Sequence, residues 1–191
     1  MMKRLLPLLL GLSIPVAVLL PALRSPLEAS MMLHMLLVFP LLIVAGAALA
    51  HVVPAKCLSW LKAWNNNGIP GLLLVSSVFT IWMIPLALDR AVENWWVDAV
   101  KTLSLVLAGS ALVISLPRAT RVVQLFFVWN WVGMAVFVGV LYQSLPVRLC
   151  STYLINDQER TGLGMVIMAA ALGLMWCIHV WRGYQQELHK P

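Results

Sequence analysis

The stretch ASMMLHMLLVFPLLIVAGAALAHVV, residues 29–53, decides the fold. It is apolar almost throughout and longer than the ~20 residues a helix needs to cross the hydrocarbon core of a bilayer. In lipid the backbone must satisfy its own hydrogen bonds, so helix is the default for such a run. Working outward, five further apolar stretches have similar lengths: residues 5–23, 69–88, 97–116, 122–145 and 163–184. Together the six predict an all-α, polytopic membrane helix bundle, a single integral membrane domain over residues 1–191.

Composition leads to the same class. Of 191 residues, 62% are hydrophobic and 10% charged. An average soluble domain is about half apolar and about a quarter charged, and a surface this apolar would not stay monomeric in water. Disorder needs the opposite composition. An outer-membrane barrel needs short alternating segments, which the sequence lacks. The basic start Lys3-Arg4 and the apolar run behind it have the outline of a signal peptide, but without a small-x-small cleavage site the stretch reads as a retained span. Asn65-Asn66-Asn67-Gly68-Ile69-Pro70 breaks the chain before the third span. Leu116-Pro117-Arg118 is so short a connection that spans four and five are expected to be antiparallel neighbours. Pro40 and Pro85 sit inside or near the end of spans, where kinks are tolerated if neighbours satisfy the freed carbonyls.

Charge sets the expected orientation. One side collects Lys3, Arg4, Lys56, Lys62, Arg118, Arg121, Arg182 and Lys190 against Glu187. The other collects Arg24, Arg90, Arg148 and Arg160 against Glu28, Asp89, Glu93, Asp98, Asp157 and Glu159. Basic loops stay in the cytoplasm, so both termini are predicted cytoplasmic in a multi-pass membrane protein. The net charge of +6 then reflects topology and attraction to anionic membrane lipid rather than nucleic-acid binding. Trp60, Trp64, Trp95, Trp96 and Trp181 fall near the expected interfaces, as an aromatic belt requires.

The chemistry-bearing residues are few. Met31, His34 and Met35 are spaced i, i+3 and i+4 at the expected outer end of the second span, and thioethers with an imidazole suit Cu(I). Methionine is equally a gap-filler in helix packing. Met83, near the outer end of the antiparallel third span, is expected at a depth similar to His34. Asp98 and Lys101, i and i+3, are expected to pair within a turn of the interface, where a lysine can snorkel to water. Tyr153 to Gly162 reads as a polar outer loop, with Asp157 placed to complement the dipole of the sixth helix and Gln158 beside it. Cys57, Cys150 and Cys177 form no disulfide framework; Cys177 reads as buried in its span, and Cys150 alone has an outer position where it could react or ligate. His51 and His179 are placed where a haem pair would need them but have no partner nearby in sequence, and His189 lies in the tail. No Ser/His/Asp set, phosphate loop or paired intramembrane carboxylates are visible, so the chain does not read as an enzyme.

These segments resemble the CtaG family of cytochrome c oxidase assembly factors. Leu23-Arg24-Ser25-Pro26-Leu27, then Leu33-His34-Met35-Leu36-Leu37 and Pro40-Leu41-Leu42, are similar to the family's Ser-Pro-Leu-acid turn and Gln-His-Met-Leu-Leu segment. Trp82-Met83-Ile84-Pro85 is similar to its Trp-His-Leu-Pro, and Ala99 to Ser104 to its Ala-Leu-Glu-His-Leu-Ser. Asp157-Gln158 with Gly162 and Met165 is similar to its Asp-Gln, Gly and Met-Trp segment. The resemblance implies a shortened scaffold lacking the first of the usual seven spans. The family's histidines are its expected copper-handling residues, and His34 is retained. Leu33 replaces the usual Gln, Met83 and Thr102 stand where histidines are expected, and Asp98 replaces another.

Two readings follow. In the first, the protein handles Cu(I) at the outer face during assembly of a haem–copper oxidase, with His34, Met31, Met35 and Met83 as ligands. In the second, it is a non-catalytic structural or accessory subunit of a respiratory oxidase or other copper enzyme, and the metal site has decayed.

Overall fold

The computed structural model describes residues 2–52 and 63–188. Lys56, Cys57, Trp60, Lys62, His189 and Lys190 lie outside the described residues. Among the described residues the secondary structure is helical, with no strand. The elements are α1 (Met2–Leu19), α2 (Pro21–Glu28), α3 (Met31–Ala50), α4 (Ile69–Trp82), α5 (Pro85–Glu93), α6 (Trp95–Ser115), α7 (Arg121–Ser144) and α8 (Ile155–Leu188). Four helices (α3, α6, α7 and α8) are long and apolar enough to cross a membrane, or six if the bent pairs α1–α2 and α4–α5 each count as a span.

The two bends share one cause. A residue before proline is pushed out of the helical region, and Leu20 (ψ 127°) and Ile84 (ψ 122°) are both extended ahead of Pro21 and Pro85. Each proline then opens a new helix, where its missing N–H costs nothing. The chain turns by 74° at the first break and 75° at the second. Pro85 therefore opens α5 after α4 ends at Trp82, and Pro21 opens α2 after α1 ends at Leu19. Both short helices, α2 and α5, are amphipathic, the character of a segment lying along an interface. Pro40 acts more gently. It offers no N–H to the preceding turn, and residues His34–Val38 take a wider π turn inside an otherwise continuous α3.

The sixth span begins earlier than its hydropathy. Most of the polar stretch from Tyr153 to Gly162 is not a loop, because α8 starts at Ile155. The backbone N–H groups of Asp157 and Gln158 donate to the Leu154 carbonyl at its first turn.

In space α3 packs between α1 and α6, α6 against α4, and α7 against α8, whose start returns to the start of α3. The expected α6–α7 neighbourhood is not a main contact. Beyond the 3-10 turn Leu116–Arg118, α7 leans on α8 and, more lightly, on α4. Gln124 fixes this corner by donating to the carbonyls of Leu116 (2.7 Å) and Ala119 (3.0 Å). α3 and α6 cross very closely, because a Cβ on Gly46 would collide with the Val106 carbonyl and one on Gly109 with that of Ile43. At the other corner Gly68 has φ 72°, a left-handed conformation, and caps α4 beside the Ser115 carbonyl.

Candidate functional site

At the end holding the starts of α3, α6 and α8 and the bent helices α2 and α5, six side chains from four separate stretches of sequence converge. Asp98 and Lys101 sit one turn apart on α6 and pair at 2.5 Å, as the i, i+3 spacing predicts. Lys101 does not snorkel: its side chain is 0% exposed and that of Asp98 1%. The second carboxylate and second cation come from α2. Arg24 Nε lies 2.9 Å from Glu28 and 3.1 Å from Asp98, and Glu28 lies 3.6 Å from Lys101. The Arg24 guanidinium also donates to the carbonyls of Ala91 (3.0 Å) and Val92 (3.1 Å), near the C-terminal end of α5, where a cation complements the helix dipole. The paired carboxylates that no single segment displays are thus assembled by the fold.

His34 completes the network. Its Nε2 is 2.5 Å from Lys101 Nζ and its Nδ1 2.9 Å from the Tyr153 hydroxyl. An ammonium held by two carboxylates has only protons to offer, so Nε2 accepts. The ring proton is then on Nδ1 and is donated to the Tyr153 oxygen. Phe39 closes the ring from its edge, with centroids 5.9 Å apart.

Tyr153 is positioned by two clasps. Asp89 of α5 accepts from the backbone N–H of Ser151 (2.7 Å) and from its hydroxyl (3.0 Å). Gln158 of α8 accepts from the Leu149 N–H (2.8 Å) and donates to the Tyr142 carbonyl (3.2 Å). Burial, with Glu28, Cys150, Asp157 and Asp89 adding, pushes the Tyr153 phenol well above its ordinary range, so it stays neutral. Asp157 caps α3 as well as opening α8, accepting from the Ser30 hydroxyl (2.9 Å) and the Met31 N–H.

The expected copper ligands meet only in part. Met31, Met35 and half-buried Met83 belong to one apolar core, and His34 is buried at its edge. Both ring nitrogens of His34 are engaged, and the neighbour at Nε2 is itself a cation. In this arrangement the donor set does not fit a metal at His34. Among the described residues, no three His, Cys, Asp or Glu side chains form a metal-holding group. Cys150 is buried (1% exposed). Burial, with Asp89 adding, pushes its thiol up to about 12. That corrects the expectation of a reactive or ligating outer thiol, since the thiolate is the nucleophile and ligand. Cys177 is exposed rather than buried, on a helix surface that lipid would cover. The ring of His179 lies against Trp176, with centroids 5.9 Å apart.

Arg24, Glu28 and Tyr153 are the members that sequence reading missed as site residues. The available signal for two of them was the i, i+4 spacing of Arg24 and Glu28 behind Pro21. No protein-family model, curated protein or solved structure matches the chain.

Proposed function

We propose that this protein is a non-catalytic accessory subunit of a membrane respiratory complex, a cytochrome oxidase or other copper enzyme. In this reading an internal cation has replaced a metal on a CtaG-like scaffold. The observation that carries the reading is the Lys101 ammonium 2.5 Å from His34 Nε2, where a metal would have to bind. The neutral balance of Arg24 and Lys101 against Glu28 and Asp98 supports a structural role, since it pins α2, α3, α5 and α6 together without an exposed reactive group. The respiratory partner rests on the resemblance of Leu23 to Leu27, Leu33 to Leu37, Trp82 to Pro85 and Ala99 to Ser104 to that family. The same resemblance supports a bacterial inner-membrane protein, and the sorted charges support cytoplasmic termini.

Copper handling is the second reading, favoured by Met31 and Met35 beside His34 in one core. It requires Lys101 to leave the imidazole. The test is mild-detergent purification from the native membrane, with quantified copper and co-purified subunits. We expect oxidase or other copper-enzyme subunits at stoichiometric yield and no bound copper on this chain. One Cu(I) per chain, lost in His34→Ala, would overturn the accessory reading in favour of copper handling. Absence of respiratory subunits from the purified material would overturn the partner.

A further inference from the structure

The opposite end of the molecule carries a second feature. Where the start of α7 meets the last turns of α8, two adjoining cavities share Arg121, Trp176 and Val180. One, of about 200 Å³, is polar and is completed by Gln124, His179 and Gly183. The other, of about 310 Å³, is apolar and runs over Leu125, Cys177 and Trp181. Arg121 opens α7, and Leu125 is one turn deeper along the same helix. The Arg121 guanidinium lies over Gly183, within ordinary contact distance of where a Cβ there would sit. The Trp176 indole N–H, at the wall of both cavities, is buried without an acceptor.

A polar cavity beside an apolar one, joined at an arginine at the end of a membrane bundle, matches one amphiphile. We propose that this cleft holds a single anionic phospholipid, its phosphate at Arg121 and His179 and an acyl chain along Leu125, Cys177 and Trp181. Charge complementarity selects the headgroup. By chain position Arg118, Arg121 and Arg182 fall at this end against one acid, Glu187, whereas Glu28, Asp89, Asp98 and Asp157 fall at the other. Basic clefts between membrane helices recognise anionic headgroups by this electrostatic attraction. The inference is independent of the network around His34.

The test is native mass spectrometry of the full chain in detergent with equimolar phosphatidylglycerol and phosphatidylcholine. We expect one phosphatidylglycerol retained in preference to phosphatidylcholine, and retention roughly fivefold weaker in Arg121→Gln. Gly183→Leu, which keeps the charge but fills the polar cavity, should also weaken retention; circular dichroism checks that both variants fold. Millimolar inorganic phosphate should not displace the lipid. Equal retention of the two lipids, or wild-type retention in both folded variants, would overturn the proposal. Displacement by phosphate would overturn it too, leaving a free-anion site.

Discussion

At Lys101 the chain puts a full positive charge where neighbouring side chains exclude water. Burying a charge is costly unless it is paired, and removing one partner strands the others. Lys101→Met should therefore destabilise the protein by about 3–5 kcal/mol, read as a lower unfolding temperature in detergent. Unchanged unfolding would mean that Asp98 and Glu28 do not depend on this ammonium. Cys150 gives a second prediction at this scale. Its thiol is raised from 9.0 to about 12 in the fold, so between those values the unfolded chain loses a proton that the folded chain keeps. Stability from this burial is complete below pH 9 and is lost as pH rises towards 12. Melting temperature should fall over that range, less steeply in Cys150→Ala. A single-cysteine variant keeping Cys150 should resist maleimide at pH 7 until denatured. Of these residues, the Asp98–Lys101 pair was legible because both lie on one turn of one helix. Its burial was not, because Arg24, Glu28 and His34 reach it from other elements.

At the level of elements, hydropathy located the long helices and proline explains where the reading slipped. Pro85 and Pro21 act through the extended residue ahead of them, so each breaks its helix where an apolar count continues through. The start of α8 was hidden for the opposite reason. Asp157 and Gln158 are polar, yet their side chains are satisfied within the fold, Asp157 by Ser30 at the start of α3 and Gln158 by Leu149 and Tyr142 of the preceding segment. Glycine gives the test at this scale. Gly109→Ala should force α3 and α6 apart at the Ile43 carbonyl, costing about 1–3 kcal/mol as overpacking does. Gly133 has nothing within 4 Å of an added Cβ, so Gly133→Ala should be neutral or stabilise by about 0.5–1 kcal/mol through helix propensity. Chemical or thermal unfolding of the two variants under one condition compares them. Equal effects would contradict the close crossing.

The whole molecule shows why charge sorting was readable and the site was not. Which end of the bundle a residue occupies follows from its place along alternating spans, so a sequence can assign charges to ends. Which residues touch within an end depends on lateral packing, and there the short Leu116–Arg118 connection misled, since α7 packs on α8 rather than chiefly on α6. The proposed role depends on His34 being held between Lys101 and Tyr153 as a structural group. The most direct measurement is the ¹⁵N spectrum of the His34 side chain in the intact protein, assigned by its loss in His34→Gln, before and after adding Cu(I). The account predicts a neutral ring protonated at Nδ1, unchanged by stoichiometric Cu(I). A Cu(I)-dependent shift of the Nε2 resonance would contradict it.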